Sequence, residues 1–270
     1  MYQEFYGFRE LPFNVTSDPD FFFPSSIHEE AFSHLMYGIK HRKGVLVISG
    51  EIGTGKTTLC RNLLERVDTT VRTALILNPY FSEAQLLRII LEDLGIEGCF
   101  RNKLELIHAL NDYLLAESAE GNNVVLIIDE AQDLKPRQLE QIRLLSNLET
   151  QKHKLLQIIL VGQPELLDIL RRDDMRQINQ RISVRYHIMP LKKEEITDYV
   201  YHRLKIAAQS QNGSRPAEFT PEAVDALYHF SRGTPRLINI ICDRALLLGF
   251  VNGSHTIDQA MICKSAKETS

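Results

Sequence analysis

At 270 residues, with 44% apolar and 24% charged residues, the chain is long enough to bury a sizeable core and too apolar to remain disordered. A formal net charge of −4 supplies no overall attraction to nucleic acid, and the four cysteines (Cys60, Cys99, Cys242, Cys263) lie far apart with no histidine at ligand spacing. That excludes a zinc site or a disulfide framework and suits a reducing cytosol; the first residues form no signal peptide, and Leu237 to Val251, broken by Asn239, Asp243 and Arg244, is too short and polar to span a bilayer.

Residues 1–24 are rich in aromatics and prolines (Phe5, Tyr6, Phe8, Pro12, Phe13, Phe21, Phe22, Phe23, Pro24) and low in helix signal. Such a segment is expected to be pinned against the domain that follows, either as packing alone or as a wall of a base-binding pocket. Ser26 is a candidate cap for a helix from Ile27 to about His41, with Ala31, Leu35 and Ile39 on one face.

The apolar β-branched run Val45-Leu-Val-Ile48 then stops at Gly50, and Gly50-x-x-x-x-Gly55-Lys56-Thr57 leads into the helix-forming Thr58-Leu-Cys-Arg-Asn-Leu-Leu64. This is a phosphate-binding P-loop in its strand-loop-helix setting. Gly50, Gly53 and Gly55 allow backbone conformations that turn successive N–H groups inward, so that Gly50, Glu51, Ile52, Gly53, Thr54, Gly55, Lys56, Thr57 and Thr58 would wrap the phosphates of ATP. Lys56 would reach the β- and γ-phosphates, and the Thr57 hydroxyl would ligate Mg2+.

Thr73 to Asn78 reads as a buried strand stopped by Pro79, Ser82-Glu-Ala-Gln85 as a capping box opening a helix to Leu94, and Lys103 to Ser118 as another helix. Asn123-Val-Val-Leu-Ile-Ile128 is a further buried strand, with Asp129-Glu130 at its C-terminal end, the edge where a parallel sheet places ligands. Asp129 would hold Mg2+ through water, and Glu130 would polarise the water that attacks the γ-phosphate. Helix 136–149 and strand Leu155 to Val161 follow, then Gly162-Gln163-Pro164. Gln163 is either a sensor of the γ-phosphate or part of a simple helix-capping turn. After two short helical pieces, the segment from Gln180 to Ile188 is the fifth strand, closed by Pro190. The remainder reads as helical: 192–209, a Gln/Asn/Gly/Ser loop over 209–215, a helix from Pro221 capped by Thr220, one opened by Gly233-Thr-Pro235-Arg236, and a last one capped by Thr256.

The order of these motifs resembles an AAA+ ATPase. Phe5-Tyr-Gly-Phe8, Phe21-Phe-Phe23, the P-loop through Thr58, Ile128-Asp-Glu-Ala-Gln-Asp133, Val161-Gly-Gln-Pro-Glu165 and Gly233-Thr-Pro-Arg236 together resemble the ExeA-type family, general secretion pathway protein A, which includes ATPases of mannose-sensitive haemagglutinin pilus biogenesis. The resemblance implies a three-layer αβα P-loop domain with a five-stranded parallel sheet and a small all-α lid, divided here as 1–24 (aromatic segment on the ATPase core), 25–190 and 191–270. It also implies Mg2+-dependent ATP hydrolysis, with Arg181 as arginine finger, Arg185 as a second candidate for it, and Arg236 as sensor 2 arginine. The expected setting is cytoplasmic, peripheral at the inner membrane, with self-association, a ring included, and a protein partner in a secretion or pilus complex. Some family members continue into a transmembrane helix and a peptidoglycan-binding domain, and whether this chain shares that attachment is open. The competing reading is an ATP-dependent DNA-binding regulator akin to transposition helper ATPases, for which Arg171, Arg172, Arg176, Arg181 and Arg185 offer a basic stretch; the net acidity and the lack of a helix-turn-helix signal speak against it.

Overall fold

The computed structural model describes residues 1–208 and 217–268. In chain order the elements are α1 (Tyr2–Tyr6), α2 (Ser26–Lys40), β1 (Val45–Gly50), α3 (Lys56–Arg66), β2 (Val71–Ile76), α4 (Glu83–Asp93), α5 (Lys103–Ala119), β3 (Asn123–Ile128), α6 (Pro136–Leu145) and β4 (Gln157–Gly162). They continue with α7 (Pro164–Arg171), α8 (Arg176–Asn179), β5 (Ile182–Ile188), α9 (Ile196–Ala207), β6 (Glu218–Phe219), α10 (Pro221–Ser231), α11 (Pro235–Val251), β7 (Thr256–Ile257) and α12 (Gln259–Lys267). Two compact units emerge, Glu29–Ile52 with Leu59–Ile188, and Met1–His28 with Gly53–Thr58 and the described residues from Met189 on.

The first unit is built on a five-stranded, all-parallel sheet of order β2-β3-β4-β1-β5. Every residue of β1, β3 and β4 is buried, which is why their central residues, 45–48, 124–128 and 158–161, are unbroken apolar runs: a parallel sheet is covered on both faces. The edge strands β2 and β5 alternate between inner and outer residues instead. Leu86, Leu87, Ile90 and Leu91 of α4, Leu106, Leu110 and Leu114 of α5, and Leu139 and Ile142 of α6 complete this core. The Ser82–Gln85 capping box starts α4, Asn102 caps α5 by accepting from the Glu105 N–H, and Pro136 opens α6 where its missing donor costs nothing.

Several boundaries differ from the pattern in the sequence. β2 runs over 71–76 rather than 73–78, because Asp68 turns the chain early and its carbonyl accepts from the Val71 N–H. α6 stops at Leu145, where Ser146 closes the last turn and the chain doubles back through the Glu149–Lys154 bridge. β4 starts at Gln157 and β5 at Ile182, so Arg181 precedes the strand.

The second unit has its own core, formed by α9 (Ile196, Val200, Leu204), α10 (Ala223, Leu227), α11 (Ile238, Ile241, Ala245, Leu246) and α12 (Ile262, Ala266). A two-residue parallel ladder, β6 with β7, is set among these helices. Thr256 therefore lies in a strand, and Asp258 is the residue that caps α12, accepting from the Met261 N–H at 2.8 Å. The loop expected over 209–215 lies outside the described residues.

The N-terminal aromatic segment is part of this helical core. Tyr2, Tyr6, Phe8, Phe13 and Phe21 are buried there, and a side chain of that size stabilises by about 1.5–3 kcal/mol when fully buried. Polar pairing fixes the register. Tyr2 donates to Asp243, and the Tyr6 hydroxyl lies 3.1 Å from the Leu246 carbonyl and 3.0 Å from that of Ser254. Arg203 of α9, 5% exposed, donates to the carbonyls of Pro12 (2.6 Å) and Asn14 (3.0 Å) and stands over the Phe21 ring. A guanidinium that deep needs such acceptors, so α9 and the aromatic segment depend on each other. The segment is also less irregular than its composition suggests: Tyr2–Tyr6 make a helical turn that Gly7 closes in the left-handed conformation.

Candidate nucleotide site

The glycine-rich loop leaves β1 at Gly50 and enters α3 at Lys56. Glu51 and Ile52 are exposed, Thr54 is 1% and Lys56 6% exposed. Two glycines adopt backbone angles closed to other residues: Gly53 has φ +80° and Gly55 φ +91°. Space is as strict as the angle. A Cβ on Gly53 would lie 2.5 Å from the Cβ of Arg236, and one on Gly55 3.0 Å from Nε2 of His28. Arg236 sits in the first turn of α11, behind Pro235, and its backbone N–H donates to the Gly53 carbonyl at 3.2 Å, so an unpaired helix-start donor is satisfied by the loop. The Arg236 side chain is exposed.

Within the same unit a cleft of about 50 Å³ is lined by the loop residues Gly55 and Thr58 together with Phe21, Phe22, Phe23, His28, Leu191, Tyr199, Arg203 and Pro235. His28 was not among the residues singled out in the sequence. It is 5% exposed, with Nε2 2.9 Å from the Thr54 carbonyl and Nδ1 2.6 Å from the Ser25 hydroxyl. Burial lowers its pKa despite the Thr54 contact and the Glu195 carboxylate, which act the other way. Ser25, rather than Ser26, accepts from a backbone N–H of the first turn of α2, at 3.4 Å from His28, while Ser26 donates to Glu195.

In the sheet unit, the parallel order sends the ends of β1, β3 and β4 to one edge. Asp129, 2% exposed, follows β3; its backbone N–H donates to Ile76 and its Oδ1 accepts from the Glu130 N–H at 2.9 Å. Glu130 is left-handed (φ 50°, ψ 40°), an angle that a residue with a side chain adopts at a cost and that concentrates at functional sites. Its Oε2 accepts from Gln132 Nε2 at 2.7 Å and from Gln163 Nε2 at 3.4 Å, and the Gln132 amide oxygen accepts from the Gln163 backbone N–H at 3.0 Å. Glu130, Gln132 and Gln163 thus form one closed network across the ends of β3 and β4. Gln163 also precedes α7 as its N-cap residue, but makes no side-chain cap bond there. Gln132 was missed in the sequence reading although it lies within the Asp129-to-Asp133 run, because a glutamine carries no reactive group of its own. Arg181 precedes β5, and the Arg185 guanidinium, in β5, is bonded to the carbonyl (3.0 Å) and side-chain oxygen (2.6 Å) of Asn179.

A family profile described as an AAA domain matches residues 39–170. The chain is 44% identical over 271 residues to general secretion pathway protein A of Aeromonas hydrophila, covering all of this chain and 49% of that protein. It therefore spans about half the length of this curated relative. Among solved structures, Cdc6p of Pyrobaculum aerophilum superposes with a TM-score of 0.70 at 21% identity, over 93% of this chain and 71% of the other. The Aeropyrum pernix ORC2 protein does so with a TM-score of 0.67 at 17% identity, over 97% and 72%, a likeness of fold alone. With an AAA domain matched over residues 39–170, a glycine-rich loop at the end of β1, an Asp-Glu pair at the end of β3 and 44% identity along all of its own residues, the chain is a relative of general secretion pathway protein A that carries an AAA domain.

Proposed function

We propose that this chain binds ATP with Mg2+ and hydrolyses it to ADP and phosphate. The observation that carries this reading is the phosphate loop itself: left-handed Gly53 and Gly55 immediately before a nearly buried Lys56 at a helix start. The loop N–H groups and Lys56 hold the β- and γ-phosphates, and the aromatic cleft with Leu191 and Pro235, which at about 50 Å³ must open to admit a purine, takes the base. The Thr57 hydroxyl and the Asp129 carboxylate are hard oxygen donors of the kind Mg2+ prefers; when bound, the ion neutralises charge on the phosphates. Glu130 takes the proton of the attacking water, Gln163 senses the γ-phosphate from the end of β4, and Arg236 adds positive charge from α11.

The arginine finger is assigned to Arg181 rather than Arg185, since Arg185 is engaged by Asn179. It would act on ATP bound by a neighbouring copy, so the active species is an oligomer. By likeness to general secretion pathway protein A, hydrolysis serves the assembly of a bacterial secretion or type IV pilus-like envelope machine from the cytoplasmic side of the inner membrane, through a protein partner there. Among the described residues, no helix is long and apolar enough to cross a membrane.

The test is Glu130→Gln, which keeps shape and the Gln132 contact but cannot accept the proton. ATP binding is expected to persist while turnover falls by at least about a hundredfold; turnover within a few-fold of the parent would remove Glu130 from the reaction. Mixing inactive Arg181→Ala with inactive Glu130→Gln is expected to restore part of the activity, since each lacks a different half of a shared site; no rescue would place Arg181 outside catalysis.

A further inference from the structure

The chemistry of the three groups around His28 leaves a single arrangement of protons. The Thr54 carbonyl can only accept, so Nε2, 2.9 Å away, carries the hydrogen. The ring is neutral in its buried position, so Nδ1 accepts from the Ser25 hydroxyl at 2.6 Å. Ser25 Oγ in turn accepts from the His28 backbone N–H. The ring packs edge-to-face with Phe22, at 5.7 Å between centroids and 87° between planes. On the loop side the ring fills the place that a side chain on Gly55 would need.

We propose that His28 is a positioning residue for the phosphate loop: the Ser25–His28–Thr54 hydrogen-bond chain ties the loop that holds the phosphates to the aromatic wall of the cleft that holds the base. This rests on the reading of residues 50–57 as the ATP-binding loop. A fixed Thr54 carbonyl orients the peptides on either side of it, and those peptides supply the donors aimed at phosphate. Phe22 and His28 line the same cleft, so a base seated there bears on the ring that holds the loop. His28 touches no reacting atom. Its contribution therefore belongs to nucleotide affinity and not to the chemical step.

The experiment compares His28→Leu, His28→Gln, Ser25→Ala and Lys56→Ala in the full chain, by calorimetric titration with ATP, steady-state kinetics and thermal unfolding without nucleotide. His28→Leu keeps an apolar body of similar size without a donor, and Gln places an amide donor where Nε2 stood. The expected result is an ATP Kd raised about tenfold or more by Leu, restored to within about threefold by Gln, and raised about threefold by Ser25→Ala, as befits one buried hydrogen bond and its support. KM should follow Kd while kcat stays within about twofold, whereas a merely structural residue would reduce the active fraction and so kcat, leaving Kd unchanged. Parental affinity in His28→Leu, or equal weakness in Leu and Gln, overturns the proposal. If His28→Leu does not fold, near-parental binding by Gln with weakened binding by Ser25→Ala supports it, and any other outcome overturns it. Parental affinity in Lys56→Ala would instead refute the underlying assignment of the loop, whatever the His28 variants do.

Discussion

Gly53→Ala tests whether the phosphate loop is held in shape by α11. The substitution meets two costs that can be read off the structure. An alanine at φ +80° stands in the left-handed region, at roughly 1–2 kcal/mol. Its Cβ would also come within 2.5 Å of the Arg236 Cβ, an atom next to the backbone that cannot swing aside. Relieving this contact moves the start of α11 away from the loop and weakens the bond from the Arg236 N–H to the Gly53 carbonyl, worth about 1 kcal/mol. The sum is about 2–3 kcal/mol. Where it registers depends on the loop. If the loop relaxes when empty, the strain returns on binding and ATP affinity falls by roughly thirty- to a hundredfold. If it cannot relax, the loss appears in urea unfolding of the free protein. Titration calorimetry and urea unfolding together should recover the whole sum. Gly95→Ala is the control: it has φ +75° with nothing within 4 Å of the added Cβ, so it carries the backbone strain alone and should leave ATP affinity unchanged. If Gly53→Ala changes neither quantity beyond the Gly95→Ala control, the contact with Arg236 does not constrain the loop.

Gln132→Ala removes the group that joins the Glu130 carboxylate to the Gln163 backbone, and is expected to lower kcat by roughly ten- to a hundredfold with ATP affinity unchanged, by stopped-flow phosphate release and calorimetry. Burial pushes the Tyr6 hydroxyl from 10.0 up to about 12, so the stability it contributes is complete below pH 10 and is lost as pH rises from 10 to about 12. Tyr6→Phe should cost about 1–2 kcal/mol at pH 7, through the carbonyls of Leu246 and Ser254, and should flatten the alkaline loss, with Tyr2, also raised by burial, supplying what remains. For His28 the sign is opposite: its pKa is lowered from 6.5, so its contribution is complete above pH 6.5 and is lost as pH falls below it. Guanidinium unfolding curves between pH 7 and 5 should be shallower in pH for His28→Gln than for the parent, with Glu195 and the second lowered histidine, His202, unchanged in both.

The chain's own order of residues determined the sheet and the chemistry placed on its edge. Unbroken apolar runs at 45–48, 124–128 and 158–161 can be satisfied only by strands buried on both faces, and each ends within two residues of a loop residue singled out in the sequence, so that Gly50, Asp129 and Gln163 come to the same edge. The glycines of the loop are legible for a related reason: φ +80° and +91° are local requirements, written into the residue type. What the tertiary structure alone decided involves partners far apart in the chain. Phe8, Phe13 and Phe21 announce burial but not the surface that buries them; it was the deep guanidinium of Arg203, 182 residues beyond Phe21 and needing the Pro12 and Asn14 carbonyls, that tied the segment to the helical unit. His28 and Gln132 are equally mute in sequence. A histidine in a helix and a glutamine after an acidic pair acquire meaning only from what stands within 3 Å of them, Thr54 in one case and Glu130 in the other, because a hydrogen bond depends on distance and angle and leaves no periodicity behind.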